Sequence, residues 1–160
     1  MIFYILANQI TTLFLSMSLL TTLSFDSNVE SYIYGGSKED IYFKVTGNSK
    51  TLVIKPKISP VKDRSFSNLL VVTKKGKYYF NLSLDERNPH QFLEIKDAQI
   101  NKAMKEVLST KDYKILEGAS SSLIINQSHN ELRVNSMNIG RKKYLGKGIP
   151  IIIESNRILN

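Results

Sequence analysis

Two histidines, His90 beside Pro89 and His129 between Ser128 and Asn130, are the only imidazoles in the 160 residues. An imidazole can act as a general base or bind a metal, but either role needs a second ligand or an orienting carboxylate at a defined spacing. Neither His90 nor His129 belongs to a metal-ligand spacing or to a His-Glu pair on one helix face, and both read as surface loop residues. Asp85-Glu86 offers paired carboxylates at a strand end, where solvation is their ordinary role. With no cysteine, thiolate nucleophiles, thiolate zinc sites and disulfide frameworks are excluded. Gly140-Arg-Lys-Lys-Tyr-Leu-Gly146-Lys147-Gly148 superficially approaches a phosphate loop. However, it has five residues between its first two glycines where that loop has four, and Gly148 stands where a magnesium-binding hydroxyl is needed. An apolar strand signal follows it, not the helix whose N-terminus would hold the anion. The expectation is a basic hairpin loop, no catalytic residue, no cofactor and no metal.

Binding chemistry is better represented. Lys74, Lys75 and Lys77 surround a turn next to Tyr78, Tyr79 and Phe80, a mixture of cations and rings that a single-stranded nucleic-acid groove uses. Alternation limits it, because Tyr78 and Phe80 share a face with Leu82 and Leu84 and leave Tyr79 as the one outward ring. The net charge of +8 is concentrated: Lys38–Lys77 holds ten basic and three acidic residues, whereas Asp85–Glu117 holds six and seven. An anionic partner, nucleic acid or membrane surface, is one reading. The other is a lysine-rich solvated surface, favoured by the scarcity of arginine, 5 against 17 lysines, since base recognition prefers the arginine fork.

The elements that would position these residues are mostly short strands. Val29–Tyr34 ends at Gly35-Gly36, and Asp40–Thr46 ends at Gly47-Asn48. Thr51–Lys57, Asn68–Thr73 and Tyr78–Leu84 follow, with Asp63–Ser67 and prolines 56 and 60 marking an edge or loop. Turn signals about every 8–12 residues predict a mostly β chain, an antiparallel β-sandwich or barrel-like domain. Later strands are expected at Tyr113–Leu116, Ser121–Asn126, Glu131–Val134 and Ile149–Glu154, with no internal repeat. One helix interrupts them. In Asp97–Ser109, Ile100, Ala103, Met104, Val107 and Leu108 recur at helical spacing, with Asp97 as the N-cap.

Residues 1–25 carry no charged side chain, and Leu13–Leu23 is an eleven-residue apolar run of the length of a signal-peptide core, too short to span a bilayer. Thr22-Leu23-Ser24 supplies small residues for a cut after Ser24. Residues 1–24 therefore read as a signal peptide and export is expected, an uncleaved or buried helix being the alternative. A boundary near Asn88-Pro89 would then divide a β unit over 25–88 from a helix-plus-strand unit over 89–160, unless 25–160 is one continuous domain.

The order Asp26-Ser-Asn-Val-Glu-Ser-Tyr-Ile-Tyr, Leu52-Val-Ile-Lys-Pro-Lys, a loop, Asn68-Leu-Leu-Val-Val-Thr, a basic turn and Tyr78-Tyr-Phe-Asn-Leu resembles a known family. It is similar to the N-terminal β-sandwich of the TrbG and CagX proteins of conjugation and type IV secretion systems, and more distantly to F-type TraK. The similarity covers about Val29–Leu84, with a fainter echo at Arg141–Ile153. It implies a non-catalytic periplasmic subunit of a ring-shaped core complex at the outer membrane, a homo-oligomer that binds a lipoprotein and a pore-forming subunit. Under that resemblance Asn68, Leu70, Val72 and Tyr79 belong to a subunit-facing sheet, and Ile149, Ile151 and Ile153 to an edge or docking strand. The alternative is a basic β-barrel module that binds single-stranded nucleic acid.

Overall fold

The computed structural model describes residues 1–60 and 65–160, so part of the loop expected around Asp63 lies outside the described residues. The described residues are all-β, with 57% of them in strands and no helix among them. The strands are β1 (Ile2–Ile5), β2 (Ile10–Leu15), β3 (Thr21–Phe25), β4 (Val29–Tyr34), β5 (Ile41–Val45), β6 (Thr51–Pro56), β7 (Ser65–Thr73), β8 (Lys77–Leu84) and β9 (Phe92–Asp97). Then come β10 (Lys105–Ser109), β11 (Tyr113–Glu117), β12 (Ser121–Asn126), β13 (Leu132–Val134), β14 (Met137–Ile139), β15 (Lys142–Gly146), β16 (Ile151–Ile153) and β17 (Asn156–Leu159). They form four sheets, none of which closes, so the barrel expectation gives way to open sheets. Two compact units divide the chain, Met1–Ile2 with Asn8–Lys96 and Phe3–Ala7 with Asp97–Asn160. The division falls after Lys96, not after Asn88, because β9 pairs with β3.

In the first unit one sheet has the order β1-β9-β3-β6-β5, entered by β1 through Ile2, and the other has the order β2-β8-β7-β4. Both are mixed, not purely antiparallel: β2 runs parallel to β8, and β3 parallel to β9. Alternation builds the core. Leu13 and Leu15 of β2, Leu23 and Phe25 of β3, Leu52 and Ile54 of β6 and Leu69 and Val71 of β7 are buried, as are Tyr78, Phe80 and Leu82 of β8. The Phe25 and Tyr78 rings, from different sheets, meet with centroids 5.3 Å apart. Pro56 ends β6 where its missing donor costs nothing: Ile54 is the last β6 residue with a β3 partner, Thr21, and Pro56 lies beyond it.

Residues 1–24 hold β1, β2 and most of β3, and no helix. A cut after Ser24 would fall inside β3 and remove β2 entirely. The loop after β2 is pinned by Glu86, whose carboxylate accepts the Ser16 hydroxyl at 2.7 Å and the Met17 amide. The Ser16 bond first, then the Met17 bond, holds this carboxyl below its ordinary value. A lowered folded-state pKa contributes stability above the unfolded value of about 4.3 and loses it as pH falls through the folded one. Glu86→Gln is thus expected to lower the melting temperature at neutral pH, with the difference from the intact chain shrinking as pH falls below the unfolded value of about 4.3. Thermal unfolding of both proteins across this range checks it.

His90 is the second correction in this unit. It is 3% exposed, its Nδ1 accepts the Phe14 amide at 3.0 Å, its own amide donates to the Phe14 carbonyl, and its ring packs on Phe14. An acceptor at Nδ1 fixes the tautomer with hydrogen on Nε2, a structural role. His129 is exposed in a turn, as expected.

The second unit contains the sheets β10-β11-β12-β15 and β14-β13-β16-β17. The expected helix over 97–109 is absent: Asp97 ends β9, and Lys105–Ser109 is β10, paired antiparallel with β11. Its proposed apolar stripe is largely solvent-facing, Ile100 at 58% and Val107 at 49% exposure. A thirteen-residue helix depends on burying that stripe, whereas β10 gains a ladder and a Lys114–Glu106 ion pair at 3.5 Å. The stretch before β10 is tied down by Asn101, whose Oδ1 accepts the Ser120 and Ser121 amides and the Ser121 hydroxyl.

β13–β14 and β16–β17 are hairpins related by an approximate two-fold axis through the pair Val134–Ile153, a repeat the sequence reading missed. Each turn has two residues at positive φ, Asn135 and Ser136 at 46° and 66°, and Glu154 and Ser155 at 48° and 68°, the type I′ pattern. Each first turn residue donates its amide to the other hairpin, Asn135 to the Ile152 carbonyl and Glu154 to the Arg133 carbonyl. Their side chains repeat the exchange: Asn135 Oδ1 accepts the Ile152 amide and Glu154 Oε1 the Arg133 amide, both at 2.8 Å.

Candidate functional site

Pairing registers place the outward side chains of β2, β8, β7 and β4 in rows. In a sheet, directly opposed residues point to the same side. Ile10 opposes Tyr79, Tyr79 opposes Leu70, and Leu70 opposes Ile33. These four residues form one apolar row across the whole sheet on its solvent face, Ile10 at 54%, Tyr79 at 39% and Ile33 at 62% exposure. The flanking rows are more polar. Thr12, Asn81 and Asn68 lie on one side, and Lys77, Val72 and Ser31 on the other.

The structure thus brings Asn68, Leu70, Val72 and Tyr79 together on one face and adds Ile10 and Ile33. It separates Ile149, Ile151 and Ile153 from any such role: they are 1%, 2% and 3% exposed, and β16 is paired on both sides, by β13 and β17. The docking-strand expectation is corrected, because these alternate residues point into the core and both edges of β16 are already paired. The basic segment Gly140–Gly148 is also more than a loop, since Lys142–Gly146 forms β15 and pairs with β12.

A second feature lies at the edges of the same unit. Tyr32, Ile33 and Tyr34 of β4 and Ile41, Tyr42 and Phe43 of β5, with Lys38 and Lys57, line an open hollow of about 430 Å³. Phe43 packs between Tyr32 and Tyr34, its centroid 5.3 Å from each, at interplanar angles of 38° and 50°. The Tyr34 hydroxyl is sealed from solvent with no well-aligned partner; burial first and then the Asp40 charge raise its pKa, partly offset by the Ser67 backbone. Its ring folds over Gly36, where an added Cβ would lie 2.5 Å from Oη, so this glycine admits the ring. Among the described residues no group of three metal-ligating side chains occurs.

No family model matches the chain, and no curated protein does.

Proposed function

We propose that this chain is a non-enzymatic structural subunit of a bacterial envelope secretion or conjugation complex, a β-sandwich protein that assembles with copies of itself. The observation that carries this reading is the in-register row Ile10–Tyr79–Leu70–Ile33 on the solvent face of a four-stranded sheet. An apolar row framed by more polar rows is what a protein interface presents before its partner arrives. Copies joined head to tail close into a ring when the rotation permits. The resemblance of Val29–Leu84 to the TrbG and CagX sandwich supplies the setting, an outer-membrane core complex with a lipoprotein and a pore-forming subunit as further partners. That location enters the proposal with residues 1–24 retained in the folded protein, since they build β2 and β3.

The double variant Leu70→Lys/Tyr79→Lys tests the row. Each substitution places a charge on the solvent side, so folding is kept while the interface acquires unpaired, desolvated cations. Light scattering is expected to show an assembled intact chain and a variant whose association is weakened at least tenfold at an unchanged melting temperature. A variant of unchanged mass would overturn the role of the row.

A further inference from the structure

We propose that the hollow between β4 and β5 is a docking groove for an extended acidic peptide, which adds as a strand to the open edge of β5 and inserts an aromatic or large apolar side chain among the tyrosines. Hydrogen-bonding register identifies the edge. The Thr46 amide donates to the Thr51 carbonyl, and the Lys57 amide to the Asp40 carbonyl. Antiparallel alternation then directs the backbone groups of Tyr42 and Lys44 toward β6, and those of Ile41, Phe43 and Val45 away from it. Among the described residues the one hydrogen bond to these outward backbone groups is from the Tyr32 hydroxyl, 3.5 Å from the Phe43 carbonyl and at the limit of such a bond. Ile41 is buried, so Phe43 and Val45 are the alternate residues that present outward donors and acceptors, the pattern that strand addition requires. β4 is the poorer template, since a bulge between Val29 and Ser31 breaks its register.

Charge and ring geometry select the occupant. Lys38 and Lys57 are the charged residues that line the hollow, and among the described residues neither has an ion-pair partner. Carboxylates flanking the inserted side chain would meet these two cations. The rings favour a side chain over a nucleobase: Phe43 packs against both Tyr32 and Tyr34, so their faces are spent on one another and no parallel platform is left for stacking. Only Ile33 is shared with the apolar row, and the groove stands independently of self-assembly.

The test uses fluorescence anisotropy on the intact chain with three probes: a capped heptapeptide with a central Phe flanked by Asp, the same peptide with Lys for Asp, and a dT oligonucleotide. Saturable binding of the acidic peptide is expected, with weak binding of the other two. Lys38→Glu/Lys57→Glu, both exposed, is expected to weaken it at least tenfold at unchanged melting temperature, and N-methylation of alternate peptide amides to abolish it. Leu70→Lys/Tyr79→Lys leaves it unchanged, which separates failure of the groove from failure of the assembly row. Absence of saturable acidic-peptide binding, or binding indifferent to the lysine variants or to N-methylation, overturns the proposal. Tighter binding of dT replaces it with a nucleic-acid groove. A change of oligomer mass in the lysine variants, without peptide binding, replaces it with a contact between copies.

Discussion

A chain lacking residues 1–24 is expected not to fold. β3 lies between β9 and β6, so its loss divides a five-stranded sheet, and the loss of β2 strips the parallel partner from β8. Leu13, Leu15 and Leu23 are each 0% exposed. Burial of one such side chain is worth about 1.5–3 kcal/mol, so the three together approach the roughly 5–15 kcal/mol that stabilises a whole domain. The second unit loses Phe3, also 0% exposed, and the bonds from the Tyr4 amide to Lys147 and from the Ala98 amide to Ile5. Circular dichroism and thermal unfolding are expected to show no cooperative transition in the truncated chain. A truncated chain that melts near the temperature of the intact one would mean that β2 and β3 are dispensable, and would support the reading of residues 1–24 as a leader.

Gly146→Ala is expected to be the most damaging single methyl in the second unit. A Cβ at Gly146 would lie 1.5 Å from the Tyr4 carbonyl oxygen and 2.4 Å from its carbon. Both atoms are backbone, so no side-chain rotation relieves the clash and the Phe3–Ala7 segment must move as a body, breaking the Tyr4–Lys147 bond. The cost is expected to be about 3–5 kcal/mol, at the upper end for a point substitution. Gly140→Ala is the control, with nothing within 4 Å of its added methyl. Its effect is expected to stay within about 0.5 kcal/mol, the range of ordinary surface changes. Urea unfolding of the two variants decides it, and equal midpoints would contradict the close approach.

Several strands bounded by turn signals were legible from sequence, β6 and β8 with one clean buried face. β4 and β12 have the expected bounds, and β6 and β8 fall within a residue of them, because alternation is written locally. β2 and β3 alternate as well, with Thr11, Leu13 and Leu15 inward and Thr12 and Phe14 outward. The outward Phe14 and the inward threonine blurred the period into an apolar run that resembles a leader. The helix over 97–109 failed for the opposite reason: Ile100, Met104 and Val107 had helical spacing by coincidence, and Ile100 and Val107 stay exposed. His90 gave no local signal, since its partner Phe14 lies 76 residues away. The paired hairpins escaped notice because what repeats is backbone conformation, and their turns, Asn-Ser and Glu-Ser, lack the glycine that usually marks a type I′ turn. The outward side of β7 could be read from Asn68, Leu70 and Val72 alone. Ile10 and Ile33 joined it only through register, which no local pattern specifies.

Self-assembly through the sheet of β2, β8, β7 and β4 is tested most directly by the molar mass of the intact, purified chain, measured by sedimentation over a hundredfold range of concentration. A discrete assembly of more than two copies at the upper end, dissociating on dilution, is the predicted result. A monomer at every concentration, with nothing co-purifying from its own envelope, would contradict it.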